Sequence, residues 1–462
     1  MEATFVIVGG GIAGVSCAET LAFLHPEKSI ILLSESSLIK TVTNLHTITK
    51  TIIAFDVEES SSNTLNEKYQ NIKVVHEEMV DIKDEHCYVL TKNGVQIKYS
   101  YLCLCMGAEP KLIPQYKQFP DRILGIRDTD SVEAFLNKLK NCRKLVVVGN
   151  GGIASEIVYK IQNTDIDWVV KDNHISATFV DPGAAEFFQD NLKKNVKSEK
   201  ISKRMRYEEG ETPKSGAALG PDWYKNLIIA GASSENSSKN VSIHYQAEIA
   251  TIITQESENP LKVTLTDGKI LECDLIISAT GVNARKNFST TNSLDYAANE
   301  GIKVDEYMRT NLKNIYAAGD ICSANWQIAK HWFQMKLWTQ ARQMGCYAAK
   351  CMSGHLNNEE VLQDFCFEIF THSTKLFGHK VILLGLYNGQ KLDKRYELLV
   401  RTTKGLEYVK FVIQDHKLQG AVLIGETDLE ETAENLILNQ ISLEPYGDDI
   451  LNPDIDIEDY FD

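Results

Sequence analysis

The sequence predicts an α/β protein with two doubly wound units and a smaller α+β unit at its C-terminal end. Three observations carry this. Apolar strand-like runs alternate with stretches of helical periodicity, the pattern of parallel sheets covered by helices. Two glycine-rich turns, at residues 9–14 and 149–154, each follow an apolar run and open a helix. From residue 359 the pattern changes to alternating strands, such as residues 381–386, 397–400 and 408–413.

At 462 residues the chain is too long for one core, and two or three domains are expected. Apolar residues make up 43% and charged residues 24%, an ordinary globular balance. No stretch approaches the roughly 20 consecutive apolar residues that span a bilayer. The run at residues 5–8 leads straight into a glycine turn, so no secretory leader is expected. Ten dispersed cysteines suggest free thiols in a reducing, intracellular compartment. The formal charge of −15 argues against direct nucleic-acid binding and against an anionic membrane surface.

The first turn places Gly9, Gly11 and Gly14 at the spacing a dinucleotide diphosphate requires. One glycine makes the tight turn, one lets backbone approach phosphate and one lets helix pack on strand. The helix start, with Ile12 and Ala13, offers free N–H groups to the phosphates. Apolar Ile12, Val15, Ala18 and Ala22 continue at helical spacing until His25-Pro26, and a second strand follows at residues 30–33. The acid that binds adenosine ribose hydroxyls usually ends that strand. Ser34-Glu35 stands there, so the acid is displaced by one residue. Lys40, further on, is either a lysine approaching the cofactor or a plain surface lysine.

The second turn repeats the pattern with Gly149, Gly151 and Ala154, including Gly152 and Ile153, and Glu156 is expected in the first helical turn. The next strand, residues 166–170, ends at Lys171-Asp172. Lysine there pairs with a 2′-phosphate and favours NADPH, whereas Asp172 accepts from a free 2′-hydroxyl; the balance leans slightly towards NADPH. Two such Rossmann-like turns in one chain imply two nucleotide cofactors and a relay of electrons between them.

These turns, with four further segments in the same order, resemble the pyridine nucleotide-disulphide oxidoreductase family of two-dinucleotide flavoproteins. Residues 101–110, containing Gly107, stand where that family has a strand ending in Ala-Thr-Gly, with Met106 for the threonine. Residues 274–281, ending at Gly281, form the equivalent strand of the second unit, followed by Asn283-Ala284 where Thr-Pro is common. Residues 315–320, ending Gly319-Asp320, look like the late flavin motif, whose carboxylate accepts from ribityl hydroxyls. The helix from Trp338 resembles the one whose start faces the flavin's pyrimidine end. The resemblance covers residues 1 to about 352 and implies FAD, with NAD(P)H as hydride donor. It implies Gly9, Gly11, Gly14, Ser34, Glu35, Lys40, Gly107, Gly319 and Asp320 around FAD, and Gly149, Gly151, Gly152, Ile153, Glu156, Lys171 and Gly281 around NAD(P)H. The segments at residues 420–428 and 452–462 resemble one branch of the family. That branch implies a nuclear and cytoplasmic location and a role in the oxidative stress response.

The family's flavin-side cysteine pair is missing, because the first cysteine after Cys17 is Cys87. Cys103 and Cys105 share a strand face about 6.6 Å apart, a strained span for a disulphide. Cys346 and Cys351 fall in a helix expected over residues 340–352, about 7.5 Å apart in rise and roughly 140° apart in direction. Buried free thiols are the better reading of both pairs. The His-Pro segment of the disulphide reductases is also absent; His372 and His379 read as surface or core residues.

The expected division is residues 1–118 as the first part of an FAD domain, 119–283 as the NAD(P) domain, 284–358 as the second part of the FAD domain and 359–462 as a C-terminal α+β domain with an acidic tail. An antiparallel hairpin is expected around residues 71–101. A polar insertion near 190–240 is either a solvated excursion or a partner-binding or nuclear-entry segment, and the acidic tail could likewise meet a basic partner. The activity expected is an FAD-dependent oxidoreductase passing electrons from NAD(P)H to an unidentified acceptor without a redox-active disulphide. The alternative is a redox sensor or protective partner that holds both cofactors with little turnover. Trp326, His331, Trp332 and Phe333 either shield the flavin or form packed core.

Overall fold

A computed structural model describes residues 1–192, 240–256, 260–393 and 395–452. The N-terminal apolar run becomes the strand Glu2–Val8, paired in parallel with Ile30–Ser34 on one side and Gln96–Leu104 on the other. Because Phe5 to Val8 are buried between neighbours on both faces, the strand reads as a continuous apolar run rather than an alternating one. It lies within an eight-stranded sheet, and Ile315–Ala317 joins in parallel beside Gln96–Leu104. The helices Ile12–Leu24 and Trp338–Asn357 pack against each other over this sheet. Their approach is close enough that a Cβ at Gly345 would lie 2.2 Å from the Ala13 carbonyl oxygen.

A second sheet of five parallel strands runs in the order Ile123–Leu124, Leu275–Ser278, Lys144–Val148, Asp165–Val169, Val241–His244. The chain passes between the two sheets twice. Its outward and returning segments, Ala108–Pro110 and Val282–Ala284, pair antiparallel, so one two-stranded ribbon joins the units. A five-stranded antiparallel sheet, with the strands Thr371–Leu376, His379–Gly385, Glu397–Thr403, Glu407–Gln414 and Lys417–Ile424, carries the helix Glu430–Asn439. It is tied to the second unit by the buried Lys410 Nζ, 2.5 Å from Asp181 Oδ2. Asp181 also accepts from Tyr408 Oη at 3.0 Å.

The structure departs from the sequence expectations in several places. Residues 71–101 do not form one hairpin. Ile72–His76 pairs in parallel with Ile30–Ser34, and only Met79–Lys83, Tyr88–Thr91 and Gln96–Leu104 run antiparallel. Asn71 explains the break: its side chain donates to the His25 and Lys28 carbonyls, pinning the next strand beside the second one. A long hairpin, Leu38–Thr47 with Ile53–Ser61, was not anticipated. Its tip is held by Glu434, whose Oε1 accepts from the Thr51 amide at 2.8 Å and from the Thr49 and Thr51 hydroxyls. The helix expected over 340–352 extends over Trp338–Asn357; extended Leu337 precedes it, and Asn358, at positive φ, ends it. The insertion near 190–240 lies almost wholly outside the described residues, as does the tail beyond residue 452.

Candidate functional site

The two glycine turns fold as near copies. Gly9 and Gly149 take φ of 121° and 127°, and a Cβ on either would lie 2.3 Å from the Cys105 carbonyl oxygen or 2.1 Å from that of Ala279. Both turns therefore need glycine for conformation and for contact. Each rests on the loop that ends a parallel neighbour strand, and those loops carry Gly107 and Gly281, also at positive φ. Gly14 fails to tolerate a Cβ for a different reason, its closeness to the Gly9 carbonyl oxygen at 1.9 Å, which brings helix onto strand.

Gly11 and Gly151 differ from these. Among the described residues, nothing lies within 4 Å of a Cβ placed on either. Each is the N-cap of its helix without a side-chain capping bond, over Ile12–Leu24 and Gly152–Lys160. Both turns thus present uncapped amides and a positive helix end to open space, the arrangement that receives a diphosphate. The second turn is further braced by Asn150. Its Nδ2 donates to Asp172 Oδ2 at 2.8 Å and to the His174 carbonyl at 2.9 Å, while its Oδ1 accepts from the Ser176 amide. Trp168 Nε1 donates to the Gly149 carbonyl at 2.7 Å.

Two clefts open on these turns. The larger, about 730 Å³, has Gly11, Ile12, Ala13, Gly107 and Asp320 on one side and Gly149, Gly151, Gly152, Ile153, Glu156, Lys171 and Gly281 on the other. The smaller, about 350 Å³, is lined by Gly9, Gly11, Ser34, Glu35 and Gly107 among others. Gly11, Cys105, Gly107, Pro110 and Arg127 line both, so the clefts meet at the first glycine turn. Most residues singled out from the sequence are brought together here.

The exceptions have physical reasons. Gly14 and Gly319 act from beneath: Gly319, at φ 80°, sits where a Cβ would meet Ala13 Cβ at 2.9 Å. Ser34 lines the smaller cleft, but its hydroxyl is spent on the turn, donating to the Ser36 carbonyl at 2.8 Å. Lys40 is not a surface lysine, and it lines neither cleft. It is buried outside both clefts, its Nζ 3.1 Å from Glu59 Oε1, which also accepts from Thr129. Glu156 lies on the cleft wall but beyond the first helical turn, since the helix begins at Gly152.

Arg127 is the principal residue that sequence reasoning missed. It precedes the helix Thr129–Leu139, whose start is a capping box of Asp128 and Ser131. Ser131 Oγ accepts from the Arg127 amide at 2.9 Å, fixing the backbone so that the guanidinium points to where the clefts meet. Arg127 Nη1 stands 3.9 Å from Asp320 Oδ2. Burial pushes the Asp320 carboxyl up from its ordinary range, against the pull of Arg127 and Lys336, and pushes both cations down against the pull of Asp320. The signal for Arg127 was the Asp-Thr-Asp-Ser capping pattern that follows it, which marks a helix start and not a ligand.

Trp332 is buried and stacks on Trp326 at 5.7 Å, and Phe333 stacks on Phe370 at 4.3 Å. None of Trp326, His331, Trp332 and Phe333 lines either cleft, so they serve as packed core there. Met335, Lys336 and Trp338 do line the larger one. His372 is buried beneath that wall, its Nδ1 3.1 Å from Thr339 Oγ1.

All ten cysteines are free. The Cys103 and Cys105 sulphurs lie 3.6 Å apart, and the Cys103 contact and burial hold the Cys105 thiol well above its usual range. Cys346 and Cys351 stand on one helix, as expected, and burial pushes the Cys351 thiol up to about 12. Thiols so protonated are poor nucleophiles.

Comparison with known proteins agrees with this geometry. A profile described as "Pyridine nucleotide-disulphide oxidoreductase" matches residues 3–210 and 226–345. The chain is 50% identical over 475 residues to the Drosophila melanogaster protein called "Pyridine nucleotide-disulfide oxidoreductase domain-containing protein 1", covering 99% of each chain. It is 46% identical over 492 residues to the Homo sapiens protein of the same name, covering 99% of this chain and 98% of that one. Among solved structures, the covalent putidaredoxin reductase–putidaredoxin complex gives a TM-score of 0.68 at 16% identity over 96% of this chain and 94% of that chain. A ferredoxin reductase from Rhodopseudomonas palustris gives 0.67 at 19% identity over 99% of both. The profile and the two relatives carry the assignment, and the structures share the fold: this chain belongs to the pyridine nucleotide-disulphide oxidoreductase family of oxidoreductases.

Proposed function

We propose that the protein is an FAD-dependent oxidoreductase that takes hydride from NAD(P)H and passes electrons to an acceptor without a redox-active disulphide. The observation that carries this is the junction of the two clefts at the first glycine turn, with the second turn on the far wall of the larger. The residues present fit a flavin dinucleotide: open, uncapped amides after Gly11, the half-buried Arg127 cation, the Glu35 carboxylate and Asp320 in one continuous groove. Bound flavin supplies the two-electron chemistry, accepting hydride from a reduced nicotinamide and releasing electrons onward.

The chain's own part is binding and orientation. The Ile12 and Ala13 amides and Arg127 would hold a diphosphate, and the half-buried Asp320 would accept from polyol hydroxyls. On the opposite wall, the helix start at Gly152 would hold the second diphosphate, placing a nicotinamide within the same cleft near Glu156. Asp172 is engaged with Asn150, whereas exposed Lys171 stands on the wall, and this favours NADPH. The nuclear and cytoplasmic location and the oxidative-stress role implied by the C-terminal resemblance belong to the same proposal, and cell fractionation with and without peroxide tests them.

The decisive experiment is anaerobic titration of purified, flavin-loaded protein with NADH and NADPH, followed by a screen of acceptors. Bleaching of the flavin band within seconds and rapid reoxidation by one acceptor are expected. Reduced protein that persists for minutes with every acceptor would favour a sensor that holds its cofactors. Lys171→Ala should raise KM for NADPH about tenfold, the order of one charge-assisted contact, and leave KM for NADH unchanged.

A further inference from the structure

The smaller cleft has a charge problem that one residue addresses. Among the described residues, six carboxylates line it against two arginines, Arg127 and Arg285. Arg127 lies at the shared end, beside Asp320. Arg285 lies at Glu35, its Nη1 2.7 Å from Glu35 Oε2. Glu35 is also fixed from behind, because His76 Nε2 lies 2.7 Å from its carbonyl oxygen. Arg285 leaves the ribbon that joins the two sheets: it follows Val282–Ala284, and its amide donates to the Gly107 carbonyl at 3.2 Å. A residue of the returning chain therefore lines the part of the smaller cleft that the larger one does not share.

We propose that Arg285 is a positioning residue for the adenosine end of FAD, orienting the Glu35 carboxylate towards the ribose diol and offsetting the acidic lining against the cofactor's diphosphate. This rests on the FAD reading above and extends it to a residue of the inter-unit ribbon. Arg285 holds Glu35 Oε2, and this contact orients the carboxylate. Both side chains are partly exposed, at 36% and 41%, which limits the effect to that of a screened pair.

The test is flavin release and uptake, read by the rise in flavin fluorescence on dissociation, in the full-length protein. Arg285→Ala should release FAD about fivefold faster, the ceiling for an exposed pair, and Arg285→Lys should recover part of the loss. Affinity for FMN, which lacks the adenosine, should be unchanged in Arg285→Ala, so the preference for FAD over FMN narrows. Glu35→Gln and the double variant should show that the two losses do not add. Release from the native protein should quicken with salt, and that dependence should shrink in Arg285→Ala. Equal release rates in Arg285→Ala and native protein, or equal losses for FAD and FMN, would overturn the role of Arg285 alone. A native protein that takes up neither flavin would overturn the FAD reading and this assignment together.

Discussion

At the residue scale, glycines do two separable jobs in each turn, and substitutions should separate them. Gly149 is required by conformation and by contact, since alanine there would combine φ of 127° with a Cβ 2.1 Å from a backbone oxygen. Such strain costs of the order of 1–3 kcal/mol before any collision is relieved. Gly151 carries no such demand; its side faces open space and its φ is −95°. Gly151→Ala should therefore fold normally, with an unchanged melting temperature, yet raise KM for NAD(P)H at least tenfold because the methyl occupies the diphosphate's approach. Gly149→Ala should lower the melting temperature as well. Equal KM values for Gly151→Ala and native protein would show that no diphosphate approaches that turn.

At the scale of elements, the paired turns were legible because periodicity and glycine spacing are local. The strands Glu2–Val8 and Lys144–Val148, the helix Ile12–Leu24 and the three C-terminal strands could be read within a residue or three of their ends. What escaped depends on distant partners. Lys40 looked like a surface or cofactor lysine because nothing nearby in the chain announces Glu59 or Thr129. The hairpin Leu38–Thr47 with Ile53–Ser61 was illegible for the same reason: its strands are only partly buried, and its tip is ordered by Glu434, 383 residues beyond Thr51. Glu434 is fully buried, and its Oε1 alone accepts three bonds from Thr49 and Thr51. Replacing it with alanine leaves those donors without their acceptor, at about 1–3 kcal/mol. Glu434→Ala should lower the denaturation midpoint accordingly and raise amide exchange at Thr51 and Ile52. Glu434→Gln, which keeps an acceptor oxygen, should recover most of both. Unchanged exchange in the alanine variant would mean that the hairpin is anchored elsewhere.

At the scale of the whole molecule, the C-terminal sheet closes over the larger cleft, and His372 marks the seam. It comes from the strand Thr371–Leu376, hydrogen-bonds Thr339 of the helix Trp338–Asn357 and lies against the rings of Trp338 and Phe179. Burial pushes its imidazole down to about 3, so it stays neutral in the folded protein. An unfolded chain binds a proton at this histidine near its ordinary value of about 6.5. The folded value is depressed, so the unfolded state takes up more protons as pH falls and native stability is lost between those two values. The sign is therefore a stability fully present above pH 6.5 and declining below it by about 1.4 kcal/mol per pH unit until pH 3 is approached. Carboxylates also titrate in the lower part of that window, so the comparison must be with a variant that lacks only this group. His372→Asn keeps a polar partner for Thr339 and cannot gain the proton. Denaturant midpoints at pH 7.5 and pH 5 should therefore fall less in His372→Asn than in the native protein, by about 2 kcal/mol when multiplied by the common slope. Equal falls in the two proteins would mean that water or a polar partner reaches the imidazole, and that the seam between the C-terminal sheet and the cleft wall is open.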